Sequence, residues 1–199
     1  KEIRHPQTDI MEHHAKRRLR QLILQVTQQC NLRCEYCAYS GIYEGNRVHS
    51  VNRMHFETAK RAIDFYLEHS IDSSSISISF YGGEPLLEFD LIRKCIDYVN
   101  ETVEGKAVRF NLTTNGTLLT GERAKFLAEH SVSIAISLDG SKKEHDVCRK
   151  FPDGTGSFDV IIKNVQDLLR EYPEYTQTSV MFFSTINPYM DLGCVMEYF

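Results

Sequence analysis

Short apolar runs that alternate with helix-spaced stripes narrow the fold of this chain more than any other feature. From Gln21 onward five such runs follow one another: QLILQVTQ (21–28), SSISISFYG (74–82), KAVRFNLTT (106–114), VSIAISLD (132–139) and QTSVMFFSTI (177–186). The Ser–Ile alternation of the second has the period of two that a half-buried strand requires. Between the runs, Ala59, Ala62, Ile63 and Tyr66 recur at helical spacing within 56–69, and Leu91, Ile92, Cys95, Tyr98 and Val99 do so after the second run. Residues 122–130, with Ala124, Leu127 and Ala128, give a third amphipathic helix. Residues 157–171, with Val160, Ile161, Val165, Leu168 and Leu169, give a fourth, with Ser157 placed to cap it. Strand and crossover helix in alternation predict an α/β fold with a parallel sheet, and repeated right-handed crossovers curl such a sheet toward a barrel.

The sequence has 199 residues, 42% of them hydrophobic and 25% charged, enough for one well-buried core. No Gly/Ser-rich or Pro-rich linker divides it, so residues 21–199 read as one unit behind a basic helical lead-in over 1–20. That lead-in crowds His13, His14, Lys16, Arg17, Arg18 and Arg20, a pattern of a solvated helix face that would also suit an acidic peptide. Elsewhere a net charge of -4 offers no general attraction to nucleic acid or to an anionic membrane. No apolar run approaches the roughly 20 residues of a bilayer span, and no signal peptide is visible, so a cytoplasmic protein is expected. The chain begins at Lys1 without an initiator methionine and stops at Phe199 inside a helix-like stretch, and so reads as a fragment.

In barrels and open α/β sheets the chemistry gathers at the carboxyl ends of the strands. The segments there are CNLRCEYCAYSG (30–41) after the first strand, GGEP (82–85) after the second, TNG (114–116) after the third and DGS (139–141) after the fourth. Cys30, Cys34 and Cys37 dominate the first. A thioredoxin-like pair would account for Cys34 and Cys37 and leaves Cys30 without a purpose. Structural zinc needs a fourth ligand, and His49, His55 or a remote cysteine would supply it only at an unusual spacing. Three unrelated core cysteines fit poorly with Asn31, Arg33 and Glu35 between them. An iron–sulfur cluster is the remaining reading: three thiolates on a four-iron cluster leave one iron free to bind a substrate or cofactor. Cys95, Cys148 and Cys194 share no spacing and read as free, structural thiols.

Cx3Cx2C with an aromatic residue, Tyr36, just before its last cysteine resembles the signature of the radical S-adenosylmethionine (SAM) superfamily, and GGEP one strand later strengthens the resemblance. The resemblance implies a partial (β/α)6 TIM-like barrel, of which five of the six strands are visible here. It also implies a 4Fe–4S cluster on Cys30, Cys34 and Cys37 whose free iron is chelated by SAM. Electron transfer from cluster to sulfonium then yields a 5'-deoxyadenosyl radical that abstracts a substrate hydrogen, with an external donor of the flavodoxin or ferredoxin kind.

By the same resemblance Tyr36, Gly82, Gly83, Glu84, Ser137 and Arg149 bind the cofactor. Gly82 and Gly83 would let the backbone approach its methionine end where a Cβ would clash, and Glu84 would face its ammonium group. SLDGSKKEHDVCR (137–149) is similar to the fourth-strand segment of the peptide- and protein-modifying branch, which gives Ser137 a hydrogen bond to SAM and Arg149 its carboxylate. Asp139 is either a turn residue or a ribose contact, and Asn115 and Gly116 either line the pocket or form a plain turn.

CAYSGIYEGNRVHS (37–50) resembles the segment that follows the cluster motif in SPASM/twitch-type maturases of cysteine-containing ribosomal peptides. That narrower resemblance implies a precursor-peptide substrate and a thioether cross-link. Maturation of a sulfatase or another folded protein, and a non-catalytic iron–sulfur module for electron transfer or regulation, are the alternatives. The sixth strand and the cysteines of auxiliary clusters are not in these residues, so complete catalysis is expected to need further sequence. No general acid or base is assigned.

Overall fold

Ser75–Gly82 (β2) shows how the sequence builds the sheet. Ile76, Ile78 and Phe80 are buried, whereas Ser75, Ser77 and Ser79 on the opposite face are half-buried. Alternation of this kind gives one face to the helices and leaves the other polar. The structure, a computed structural model, describes residues 6–199; the first five residues of the basic lead-in lie outside them. Beside β2 run Leu22–Thr27 (β1), Ala107–Thr114 (β3), Ser133–Ser137 (β4) and Val180–Phe183 (β5), all parallel and in the order β1-β2-β3-β4-β5. This is the α/β partial barrel, with β1 and β5 at its two edges.

The helix Phe56–Glu68 (α2) follows β1 and Phe89–Thr102 (α3) follows β2, while Gly121–Glu129 (α4) follows β3 and Phe158–Glu171 (α6) follows β4. Ala59, Ile63 and Tyr66 of α2, Ile92, Cys95, Ile96 and Val99 of α3 and Leu127 of α4 form one core with the helix-facing strand residues. Cys95 and Cys148 are buried free thiols, and Cys194 is an exposed one. Met11–Arg17 (α1) carries part of the basic lead-in. It is pinned to the turn before β2 by Arg17, whose Nε and Nη2 each donate to Asp72 at 2.9 Å. No helix of the described residues is long and apolar enough to cross a membrane.

Several local expectations need correction. β5 begins at Val180, three residues later than the apolar run suggests, because Gln177–Ser179 complete the helix Pro173–Ser179 (α7), which Pro173 opens. On α6, Val160 and Leu169 face solvent at 40% and 47% exposure, and Asn164 takes the buried position instead. Its amide donates to Gly116 O and Thr117 O at 2.9 and 3.0 Å, so a polar side chain in the core stripe holds the loop after β3. Ser157 precedes α6, yet its hydroxyl makes no capping bond; Asp146 Oδ1 accepts from Phe158 N instead. A short polar helix, Lys142–Cys148 (α5), and a last one, Leu192–Tyr198 (α8), complete the chain.

Candidate functional site

The loops after β1, β2, β3 and β4 meet around a cavity of about 390 Å³ at the carboxyl ends of the strands. Cys30, Cys34, Tyr36 and Cys37 line it from the first loop, Gly82 and Gly83 from the end of β2, and Asn115 from the third loop. Ser137, the last residue of β4, and Arg149, just past α5, also line it. Of the residues named from sequence for the cofactor site, Glu84 and the two alternatives Asp139 and Gly116 are absent from the lining.

The cysteine loop has no helix or strand of its own up to Cys37 and is shaped by what grips it. Gly83 N donates to Thr27 O at 3.0 Å and Glu84 N to Gln29 O at 2.9 Å, which binds its start to the GGEP turn. Further on, Arg33 N donates to Lys150 O at 2.7 Å and Glu35 N to Cys148 O at 3.1 Å, and Lys150 pairs with Glu35 at 2.7 Å. Asn31 adds a third anchor: its amide donates to Thr117 Oγ1 at 2.8 Å and its carbonyl accepts from Asn115 Nδ2 at 2.9 Å. Asn115 therefore does more than turn the chain.

The glycines owe their identity to this grip. A Cβ on Gly83 would come within 2.1 Å of Gln29 O, and one on Gly82 within 2.5 Å of Thr27 O. The clash lies with the protein's own backbone, a constraint on both glycines apart from any bound molecule. Glu84 is fully buried, with Oε1 accepting from Leu86 N at 3.0 Å and Thr114 Oγ1 at 2.7 Å, and Oε2 accepting from Asn115 N at 2.7 Å. Through these bonds it ties the GGEP turn to the end of β3. Burial pushes its carboxyl up to about 6, against the pull of those same hydrogen bonds.

The sulfurs are unequal. Cys30 Sγ accepts from Leu32 N at 3.4 Å and Asn115 Nδ2 at 3.8 Å, and Cys37 Sγ accepts from Tyr39 N at 3.4 Å with His49 Nε2 3.9 Å away. Burial raises the Cys30 thiol and pushes that of Cys34 up to about 12. Both keep their protons at neutral pH until a metal displaces them. Among the described residues no three His, Cys, Asp or Glu side chains converge on a single ion. Three soft ligands spread around one cavity suit an iron–sulfur cluster, in which each thiolate takes a different iron, better than a lone zinc.

Beside the cysteine loop, Asp139 is a fully buried hub. Its Oδ2 accepts from Arg149 Nε at 2.7 Å and from the Tyr36 hydroxyl, and its Oδ1 accepts from Thr185 N at 2.9 Å. Arg149 is thereby held over the Tyr36 ring, 5.4 Å from its centroid. Its terminal amines meet no acceptor among the described residues, although it is 7% exposed and lines the cavity. A buried guanidinium with an open fork is matched to a carboxylate, so the residues present fit a cofactor that carries one. Sequence reasoning missed His145 and Ser157, buried behind Arg149; the only signal was a polar His-Asp pair at 145–146, which periodicity passes over.

The family model described as "Radical SAM superfamily" matches residues 24–190. A cysteine-type anaerobic sulfatase-maturating enzyme of Clostridium novyi is 32% identical over 165 residues, 82% of this chain and 44% of that enzyme. The radical SAM cyclopropyl synthase TigE of Paramaledivibacter caminithermalis is 30% identical over 161 residues, 76% of this chain and 33% of that protein. Among solved structures, native anSMEcpe with bound AdoMet aligns with a TM-score of 0.72 at 26% identity, over 89% of this chain and 48% of that one. The chain thus spans less than half the length of these relatives. Fold, cysteine loop and matched family model agree: the chain belongs to the radical SAM superfamily, whose cofactors are a 4Fe–4S cluster and S-adenosylmethionine.

Proposed function

We propose that this chain is the cofactor-binding core of an enzyme that takes a hydrogen atom from a peptide or protein substrate. The observation that carries the reading is Arg149, a buried arginine whose terminal amines meet no acceptor among the described residues, in the cavity that the three cysteines also line. A module that only passed electrons would need the thiolates and have no use for the fork.

In this reading Cys30, Cys34 and Cys37 would hold the cluster and leave it open to SAM. Bound there, the cofactors would supply the one-electron chemistry needed to remove hydrogen from an unactivated position, with reducing power from an external donor. Arg149 holds the SAM carboxylate while Asp139 keeps the guanidinium in place. Ser137 offers its hydroxyl from the end of β4, and Tyr36 supports the guanidinium with its ring. Gly82 and Gly83 bring backbone polar groups to the lining. Leu32, Tyr81 and Phe183 add apolar surface to the lining and limit water around a reactive centre.

A peptide or protein substrate is supported by the name of one relative, a sulfatase-maturating enzyme. Within that class, a thioether cross-link in a cysteine-containing ribosomal peptide is the outcome we favour from residues 37–50, and maturation of a sulfatase is the alternative the relatives favour. The test is anaerobic turnover of the cluster-reconstituted full-length protein with dithionite and SAM. Formation of 5'-deoxyadenosine and a cluster spectrum that responds to SAM are expected; absence of both overturns the reading. Mass spectrometry of cysteine peptides then separates the outcomes, since a thioether removes two hydrogens and blocks a thiol from alkylation.

A further inference from the structure

We propose that His145, acting through Ser157, is a positioning residue that sets the Arg149 guanidinium for the carboxylate of the sulfonium cofactor; the inference rests on the cavity reading given above. His145 and Ser157 are both fully buried and neither lines the cavity, so any effect they have on a ligand must pass through Arg149 or Asp139.

The hydrogen bonds assign every proton. Asp139 N–H donates to His145 Nδ1 at 3.2 Å, so that nitrogen carries a lone pair and the proton sits on Nε2. Nε2 then donates to Ser157 Oγ at 3.0 Å, and the Ser157 hydroxyl donates to Arg149 O at 2.9 Å. Further bonds fix the same backbone: Arg149 N donates to His145 O at 3.0 Å and Ser157 N to Arg149 O at 3.2 Å. The imidazole is therefore a strut between two stretches of main chain. One nitrogen holds Asp139 and the other, through Ser157, holds Arg149, and it is the side chains of these two residues that pair at 2.7 Å.

An apolar residue would fill the same space and leave the Asp139 N–H without an acceptor and the Ser157 oxygen without its donor. A lysine or arginine would offer donors and no acceptor, and a carboxylate acceptors and no donor. Neutral imidazole has one acceptor and one donor on opposite edges of a rigid ring, which is what the span from Asp139 to Arg149 requires. Phe158 packs against the ring, with centroids 5.8 Å apart, and keeps water away from it.

The test compares two ligands on the reconstituted full-length protein: SAM, and its decarboxylated analogue, which Arg149 has no carboxylate to hold. Their dissociation constants are measured by equilibrium dialysis. The wild type is expected to prefer SAM, and Arg149→Lys to weaken that preference. If the wild type shows no preference, the cavity reading falls, and this inference falls with it. Given the preference, His145→Asn keeps an acceptor for Asp139 N–H and loses the arm to Ser157, while Ser157→Ala removes one oxygen from the same arm. Each is expected to shrink the ratio of the two constants by roughly tenfold, the scale on which removing an orienting partner shows. His145→Gln, whose amide nitrogen still reaches toward Ser157, is expected to keep the ratio nearer wild type. A merely structural histidine lowers affinity for both ligands alike. An unchanged ratio in Ser157→Ala, the variant least able to disturb folding, overturns the proposal even if His145→Asn does not fold.

Discussion

Arg149 Nε lies 2.7 Å from Asp139 Oδ2, and both side chains are almost wholly enclosed. The pair is more than a counter-ion arrangement, because the same carboxylate takes the Tyr36 hydroxyl and the Thr185 N–H. Three remote segments thus close on one group: the cysteine loop, the end of α5 and the stretch after β5. Net stabilisation from a buried ion pair is small, yet loss of one partner strands the other in a place with no water to replace it.

Asp139→Asn should be severe for that reason. The substitution keeps the shape, removes the charge, and turns an amide donor toward a ring of donors. A loss of about 3–5 kcal/mol is expected in urea denaturation. A midpoint equal to wild type would show that the surrounding donors had found other acceptors.

Gly83→Ala tests the grip between the cysteine loop and the GGEP turn. The added methyl would sit 2.1 Å from Gln29 O, a backbone atom that cannot rotate away. Overpacking of this kind costs about 1–3 kcal/mol or more. The cysteine loop should loosen with it, read as lower iron incorporation on reconstitution and earlier proteolysis around residues 28–37. A variant that melted and loaded iron like wild type would place the close approach elsewhere.

Two buried groups give opposite pH dependences. Burial lowers the His145 pKa from 6.5 to about 4, so between these values the unfolded chain holds a proton that the folded chain refuses. The stability it contributes is complete above pH 6.5 and drains as pH falls through that window, by on the order of 3 kcal/mol in all. Glu84 runs the other way. Its pKa rises from 4.5 to about 6, so stability is gained as pH falls across that range, by on the order of 2 kcal/mol. In the wild type the two partly cancel. Glu84→Gln should lose about 1–3 kcal/mol at neutral pH, because its amide nitrogen must face a backbone N–H donor. Its stability should then fall more steeply than wild type between pH 6 and pH 4.5, and parallel slopes in the two proteins would rule out the link.

What the sequence disclosed and what it hid follow from the range of the physics involved. The strand Ser75–Gly82 was legible because Ile76, Ile78 and Phe80 alternate with serines, a signal complete within nine residues (74–82). Placing four loops on one rim needed only the parallel topology. The hydrogen bonds of Glu84 were hidden because its partners, Thr114 and Asn115, lie about thirty residues away, and no local pattern shows that its carboxylate is already satisfied. The same holds for Gly83 and Gln29. Asn164 reads as a polar residue between apolar ones, and only the loop after β3 explains why it is buried while Val160 is not. α5 escaped notice because KKEHDVC has almost no apolar stripe; its buried face is Glu144, His145 and Cys148.

One further pattern is visible in the sequence and explained by the structure: FYLEHS (65–70) and FLAEHS (126–131). In each, the histidine is the first residue past a helix end, His69 after α2 and His130 after α4. The Nδ1 atoms lie 2.8 Å from Phe65 O and 2.9 Å from Phe126 O, and since a carbonyl can only accept, each Nδ1 carries a proton and donates it. The rings stack on the same phenylalanines, with centroids 4.0 and 3.9 Å apart. Each of these carbonyls also accepts the backbone N–H of the same histidine at 3.1 Å, so the imidazole adds a second donor at both helix ends. His69→Phe and His130→Phe keep the stack and delete the donor, so each should cost about 1 kcal/mol in urea denaturation. The double variant should lose about twice that, because the two helix ends share no hydrogen-bond partner. If both single variants matched wild type, the stack alone would hold the helix ends and the shared Nδ1 bond would carry no stability.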